Sequence, residues 1–81
     1  MELPLSALGL DERASISRVD GQSDMSCRLK ELGFLPGTEV CCELIGPAGS
    51  PVAYRVRGAL IALRKQEANT VTVMTAGEEN G

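Results

Sequence analysis

The stretch Arg28-Leu29-Lys30-Glu31-Leu32-Gly33-Phe34-Leu35-Pro36-Gly37 joins the end of a helix to a tight turn, and the rest of the fold can be predicted outward from it. Met25 lies one helical turn before Leu29 and Leu32 lies one turn after it, so the three share an apolar helix face. Gly33 supplies the left-handed residue that commonly ends a helix. The pattern predicts one helix of about ten residues.

The residues on either side of this helix predict where it begins and how the chain leaves it. Ser23 or Asp24 can cap the first turn, because either side-chain oxygen can accept a hydrogen bond from a free backbone amide. After the helix, Pro36 restricts φ and Gly37 accepts a positive φ, which is typical of a turn. The chain is therefore expected to reverse direction directly after the helix.

Alternation of apolar and polar residues predicts a strand in residues 38–45. Val40, Cys42 and Leu44 share one face, which we expect to be buried. The opposite face carries two glutamates and should face solvent.

The same reasoning predicts four more strands. Residues 52–57 and 70–74 alternate in the usual way, whereas residues 14–19 alternate imperfectly, with a slip before Val19. Residues 59–63 are apolar on both faces and predict a central strand, whereas residues 64–69 predict a connection with one helical turn. Five short strands and one short α-helix indicate a mainly β fold, because a sheet closed on itself leaves few exposed edges. We expect a small SH3-like β-barrel, with an OB-type barrel as the second choice.

The composition indicates one domain with a small core. The chain has 81 residues, of which 43% are hydrophobic. Folding at this size hides only about 60–65% of the surface that the unfolded chain exposes. We expect the domain to span residues 1–75 and the small, polar and acidic tail of residues 76–81 to be disordered.

The cysteines and the apolar residues indicate a cytoplasmic protein. The three cysteines are odd in number and two of them are adjacent, where a mutual disulfide would be strained, so a reducing compartment fits best. The first ten residues lack the basic start and long apolar run of a secretion signal. No apolar run approaches the ~20 residues of a membrane span, so we expect no direct membrane insertion.

The sequence offers no recognisable catalytic group. It contains no histidine, which removes the usual general base and the commonest metal ligand. No serine or cysteine has an obvious activating partner, and no glycine-rich loop precedes a lysine-serine pair. The net charge of -3 and the two aromatic residues weigh against nucleic-acid binding. We therefore expect a protein that is not an enzyme, requires no cofactor and binds no nucleic acid.

A divalent metal ion is the alternative ligand that the sequence suggests. Cys41 on the outer strand face is flanked by Glu39 and Glu43, which could offer a thiolate and two carboxylates to such an ion. Cys27 on the helix is a further candidate. One strand cannot fill a tetrahedral site, because its ligands all point one way, so a second chain or loop would have to complete it.

Protein binding remains as the main expectation, and three surfaces could serve it. Phe34 and Leu35 lie at the turn after the helix, although Phe34 could instead cover the end of the barrel. The loop of residues 46–51 contributes three candidates: Pro47, Ser50 and Pro51. A run of eleven residues without an acid contributes four basic candidates: Arg55, Arg57, Arg64 and Lys65. They form either a solvated face or a docking patch for an acidic partner.

Residues 28–37, followed by Val40, resemble the hallmark of the FeoA family, in which a helix ends in R-L-x-x-L-G before a hydrophobic residue and P-G. Gly49-Ser50-Pro51 and then Arg57-Gly58-Ala59-Leu60-Ile61-Ala62-Leu63-Arg64 resemble the second and third blocks of that family. The resemblance runs from about Leu3 to Val73. Two positions depart from it, since the family usually carries Gly-Asp-Pro at residues 49–51 and Pro-Gly at residues 10–11.

The resemblance implies an SH3-like barrel that acts as a non-enzymatic accessory protein of ferrous iron uptake. It would bind the cytosolic GTP-binding part of a FeoB-type membrane transporter, and that partner would recruit it to the inner face of the membrane. A monomer or a weak homodimer is expected. Two alternatives stay open: a metal-sensing module with Cys and Glu ligands, and a barrel detached from a metal-dependent repressor.

Overall fold

The computed structural model describes residues 1–75, and this part of the chain is mainly β. In chain order its elements are β1 (Glu2–Pro4), a 3-10 turn (Leu5–Ala7), β2 (Arg13–Val19), α1 (Asp24–Glu31), β3 (Glu39–Ile45), β4 (Val52–Val56), β5 (Ala59–Leu63), α2 (Lys65–Ala68) and β6 (Val71–Met74). The tail predicted to be disordered, residues 76–81, lies outside the described residues.

The strands form one antiparallel sheet in the order β1-β6-β2-β3-β4-β5. The strand at each position is antiparallel to its neighbours, as expected for short strands joined by turns. β1 and β5 lie at the two ends of this order. The prediction of a mainly β fold with one principal helix is confirmed.

The inward side chains of the strands form one continuous core. Its fully buried members are mostly β-branched or aromatic, which suits strands packed on one face: Phe34, Val40, Tyr54, Val56, Val71 and Val73. The 3-10 turn adds Leu5 and α1 adds Leu29. Burial of each large side chain stabilises the fold by roughly 1.5–3 kcal/mol.

Helix α1 begins and ends as its sequence predicts. Ser23, and not Asp24, is the cap, because its Oγ accepts a hydrogen bond from the Ser26 amide at 3.2 Å. In the last turn the Leu32 amide donates a hydrogen bond to the Arg28 carbonyl, and Gly33 follows with φ 112°. The chain then turns back, and the Phe34 amide donates to the Leu29 carbonyl at 3.1 Å.

The prediction that Leu44 faces the core is wrong. Val40 and Cys42 are fully buried, but Leu44 is 60% exposed. The pairing of β3 with β4 shifts its register between Cys42 and Leu44, so the alternation of inward and outward side chains breaks there.

The prediction that residues 59–63 form a central strand is also wrong, because within residues 1–75 β5 pairs with β4 alone and is an end strand. The strand β1 was absent from the sequence prediction. It pairs with β6, and its Leu3 packs against the core. The helical turn predicted for residues 64–69 is confirmed as α2.

Within residues 1–75, no helix has both the length and the apolar character needed to cross a membrane.

Candidate functional site

A groove of about 490 Å³ lies on the outer face of β3 and β4, beside the turn that joins β4 to β5. We name it the arginine groove, because three arginines line it: Arg13, Arg55 and Arg57. Between them lie Glu39, Cys41 and Glu43 of β3. The structure thus brings together five of the residues that the sequence proposed as sites.

One of these arginines is already paired. Arg55 donates from Nη2 to Glu43 Oε1 at 3.0 Å and from Nε to Glu43 Oε2 at 3.1 Å. A third bond runs from Arg55 Nη1 to the Gly58 carbonyl at 3.3 Å. The hydrogen bonds from Arg55 lower the pKa of Glu43, and those to Glu43 raise the pKa of Arg55. This two-bond geometry fixes both side chains in the groove wall.

Arg13 and Arg57 form none of the salt bridges within residues 1–75. Arg13 reaches the groove because β2 pairs with β3 and places it opposite Cys41. Arg57 lies in the turn after β4 with φ 51°, and the stem of its side chain passes over Gly33. The groove therefore presents two available guanidinium groups beside one neutralised pair.

This arrangement weighs against the groove as a cation site. Glu39, Cys41 and Glu43 share it with three arginines, and Arg55 occupies both oxygens of Glu43. In the described part of the chain, no group of three or more His, Cys, Asp or Glu side chains is placed to hold a metal ion. A site built on these residues would need further ligands from a second molecule.

The cysteines occupy three different environments. Cys27 is exposed on α1, away from the groove lining, and Cys41 is half-buried in the groove. Cys42 is fully buried, and burial raises the pKa of its thiol, so it is a core residue in the neutral form.

The predicted partner-binding residues at the helix exit divide into one buried and one exposed side chain. Phe34 is fully buried, so its prediction as a contact residue is corrected: it packs in the core under the α1 exit turn. Leu35 is 40% exposed and stays available to a partner.

The loop after β3 and the basic residues also spread over more than one surface. Pro47 and Pro51 are exposed, whereas Ser50 is half-buried beside a smaller cleft of about 180 Å³ that Lys65 also lines. Arg64 is exposed before α2, where its amide donates to Glu67 Oε1 at 2.8 Å. Arg55 and Arg57 line the arginine groove instead, so the four basic residues do not form one patch, which was one of the two possibilities that the sequence left open.

Sequence reasoning missed a second groove, of about 310 Å³, between α1 and β5. We name it the helix groove. Its apolar lining comes from both elements: Met25, Leu29, Leu32, Ile61 and Leu63. Three of these residues were predicted only as a buried helix face, but Leu32 is 40% exposed. The uncharged composition of residues 59–63 was the feature of the sequence that could have indicated this groove.

Comparisons with known proteins agree with this fold. The model of the FeoA domain family matches residues 3–75. A solution structure of FeoA from Chlorobium tepidum superposes with a TM-score of 0.87 at 28% identity, covering 98% of this chain and 75% of that one. A crystal structure of Stenotrophomonas maltophilia FeoA complexed with zinc, described as a prokaryotic SH3 domain protein, gives 0.80 at 36% identity and covers 88% of each chain. The predicted SH3-like fold is confirmed.

A curated relative from Porphyromonas gingivalis joins two named parts in one polypeptide, Fe(2+) transport protein A and the Fe(2+) transporter FeoB. It is 32% identical over 69 residues, which are 85% of this chain and 8% of that protein. The match therefore spans only a small part of that relative. With a family model that covers nearly all of its described residues, this chain belongs to the FeoA family.

Proposed function

We propose that this chain is a non-enzymatic accessory protein of ferrous iron uptake that binds the cytosolic GTP-binding part of a FeoB-type transporter. The observation that carries this proposal is the Porphyromonas gingivalis relative, in which the matching segment and a FeoB transporter are one polypeptide. A covalent link holds two modules at a high effective concentration, so that they associate readily. Where the two modules are separate chains, they must bind each other to associate in the same way.

The chemistry of the chain supports a binding role. The sequence lacks histidine. Cys42 is buried with a raised pKa, and Ser26 is buried with its hydroxyl donating to the Asp20 carbonyl at 2.7 Å. Neither group could activate a substrate in these positions. We propose that the protein changes the activity or assembly of its partner without a reaction of its own.

The arginine groove supports contact with an acidic surface. Arg13 and Arg57 carry charges that no carboxylate neutralises in the described residues, and Arg55 is held rigidly beside them. A basic patch of this kind contributes more to the rate of association and to specificity than to affinity. Leu35, Pro47 and Pro51 are exposed candidates outside the groove.

The remaining parts of the proposal follow from this role. The chain acts in the cytoplasm and is recruited by its partner to the inner face of the membrane. It acts as a monomer or a weak homodimer and requires no bound cofactor. A metal-sensing module is the second candidate function, because Cys41 and two carboxylates share the groove, although the arginines oppose a cation there.

Isothermal titration calorimetry of the 81-residue chain against the soluble cytosolic part of its cognate transporter tests the proposal. The titration is run with and without Fe(II) under anaerobic conditions. We expect micromolar affinity that is the same in both. Absence of binding to this part and to the full-length transporter in nanodiscs, together with unchanged iron uptake in a deletion strain, would overturn the proposal.

A cysteine variant separates the two candidate functions. Cys27→Ser combined with Cys41→Ser removes both accessible thiols and leaves the buried Cys42 intact. An accessory protein retains full affinity for the transporter after this change. If Fe(II) alone gives heat with the native chain and none with the variant, the metal-sensing function is favoured instead.

A further inference from the structure

Strand β5 has a free edge. It pairs along its full length with β4, from the Val52–Leu63 pair to the Val56–Ala59 pair, and it ends the strand order of the sheet. Among residues 1–75, no backbone hydrogen bond beyond that ladder involves Ala59–Leu63, and no side chain bonds to this segment. The outer row of backbone groups on β5 therefore has no partner within the described chain.

The turn before β5 determines which groups point outward. Arg57 and Gly58 have φ 51° and 82°, as in the two-residue turns that close β-hairpins. The flanking pair, Val56 and Ala59, is then a hydrogen-bonded pair, and the pattern alternates along the ladder. Leu60 and Ala62 consequently direct their N–H and C=O groups away from β4, toward the free edge.

The free edge of β5 lacks the residues that usually shield the edge of a sheet from pairing with another strand. Natural sheets shield exposed edges with charged residues, proline or a very short strand. β1, at the other end of the sheet, has three residues and contains Pro4. β5 has five uncharged residues, and its Leu60 is 45% exposed. Such an edge is a ready template for another strand.

The helix groove runs alongside the same edge. Ile61 and Leu63 form its β5 side, and Met25, Leu29 and Leu32 form its α1 side. A strand added to β5 would place alternate side chains into this apolar space, while its backbone bonded to Leu60 and Ala62. Backbone pairing and side-chain recognition are thus available at one place.

We propose that the free edge of β5 and the helix groove bind an extended, mainly apolar segment of the transporter that carries a carboxylate where it passes Arg57. This inference rests on the proposed function, since it names the surface through which that partner is bound. The segment would pair with β5 as an additional strand.

The charges around the groove locate the carboxylate. At the start of β5, Arg57 lies beside the end of α1, where its stem passes over Gly33. The lining of the helix groove carries two acids, Asp24 and Glu67, and one cation, Arg28, and the cations Arg64 and Lys65 follow β5 in the chain. Arg57 forms none of the salt bridges within residues 1–75, so its charge is available to a carboxylate at the start of β5.

A second copy of the chain fits this edge poorly. Antiparallel self-pairing centred on Ile61 would bring the turn residue Arg57 of one copy toward Lys65, at the start of α2 in the other, and the symmetry would produce this approach twice. Like charges that approach each other across a strand pair oppose the pairing. A partner strand with an acidic end meets no such repulsion.

Ala62→Pro is the sharpest variant for a test. Proline removes the outward N–H of residue 62 without removing a bond to β4, and edge strands tolerate it on that side. The matched control, Ala62→Val, keeps the N–H and suits a strand. Both are titrated against the cognate transporter's cytosolic part. We expect Ala62→Pro to weaken binding about 10-fold or more and Ala62→Val to retain native affinity.

Arg57→Asn provides a second variant that preserves the fold, because asparagine accepts the positive φ of the turn. We expect it to weaken binding several-fold and to reduce the dependence of affinity on salt. Amide hydrogen exchange gives a direct readout: Leu60 and Ala62 should exchange freely in the unbound chain and become protected in the complex.

The outcomes separate the two proposals. An NMR spectrum first establishes that Ala62→Pro is folded. If this variant then binds the transporter as tightly as the native chain does, the edge is not the docking surface, while the proposed function stands. Protection on binding that is confined to the arginine groove would lead to the same conclusion. If the native chain does not bind the transporter, the proposed function fails, and the assignment of this edge to that partner fails with it.

Discussion

A Cβ atom on Gly33 would lie 2.9 Å from Cδ of Arg57, closer than real Cβ contacts allow. Gly33 ends α1 with φ 112°, and Arg57 lies in the turn between β4 and β5 with φ 51°. The absence of a side chain at residue 33 therefore allows the stem of Arg57 to cross the end of the helix. This contact joins the helix to the hairpin that carries both grooves.

Gly33→Ala is expected to lower the free energy of unfolding by about 1–3 kcal/mol. An alanine is strained at positive φ, and its methyl group also displaces Arg57. Gly37→Ala is the matched control, because Gly37 has φ 87° but nothing within 4 Å of an added Cβ. Urea unfolding should therefore give the smaller loss for Gly37→Ala. Equal losses would show that the Arg57 contact has no effect.

Adding Arg57→Gly to Gly33→Ala tests the same contact from the other side. Glycine accepts the turn conformation and removes the stem that the methyl group meets. Gly33→Ala should lose more unfolding free energy than Gly37→Ala does, and the double variant should recover this excess. A double-mutant cycle measures the recovered free energy. Purely additive losses would contradict this interpretation.

Ser26→Ala is expected to destabilise the protein more than Ser23→Ala. The buried Ser26 hydroxyl donates to the Asp20 carbonyl at 2.7 Å, so its removal leaves that acceptor without this partner, at about 1–3 kcal/mol. Ser23 is an exposed cap, whose loss typically costs about 1 kcal/mol. Denaturant unfolding of the two variants compares these values, and a larger effect for Ser23→Ala would reverse the assignment.

The pair formed by Arg55 and Glu43 predicts a specific dependence of stability on pH. Arg55 holds the pKa of Glu43 below its ordinary value of 4.5, so the pair stabilises the fold above that value. The stabilisation is lost as the pH falls through the lowered pKa. Glu43→Gln should therefore be less stable than the native chain near neutral pH and equal to it in strong acid.

Glu39→Gln is the control for that measurement, because Glu39 lines the same groove but forms no salt bridge within residues 1–75. Its unfolding free energy should follow that of the native chain at every pH. If the unfolding free energies of the native chain and Glu43→Gln still differ at acid pH, the Glu43 side chain acts through packing instead of charge.

Tyr54 should titrate with a pKa of about 12, against an ordinary value of 10.0, chiefly because burial disfavours the phenolate. As the only tyrosine, it can be followed by tyrosinate absorbance without interference. As the pH rises from 10 toward 12, the unfolded chain ionises before the folded one, so the fold should lose about 3 kcal/mol of stability over this window and none of it below pH 10.

Tyr54→Phe should remove this alkaline sensitivity. Its cost near neutral pH should stay below about 1 kcal/mol, because the hydroxyl makes only a long bond to the Leu5 carbonyl, at 3.4 Å. A titration midpoint near 10.0 in the folded native chain would show instead that the phenol is accessible to solvent.

The candidate site could be predicted only in part. Residues close in sequence, such as Glu39, Cys41 and Glu43, were correctly placed on one outer strand face because alternation is a local property. Arg13 could not be included, since it enters the groove only through the pairing of β2 with β3. The burial of Phe34 likewise depends on how the chain folds back under α1, which no periodicity specifies.

The sequence by itself determined the elements whose signals are local. The start of α1 near Ser23 or Asp24, its end at Gly33 and the alternation along the first part of β3 follow from capping, positive φ and side-chain period. The tertiary structure alone decided the position of each strand in the sheet. Val40 and Leu44 lie in one alternating pattern, yet a register shift buries one and exposes the other. Ala59–Leu63 is apolar on both faces and still became an edge, because strand order depends on contacts between distant segments, which sequence composition does not encode.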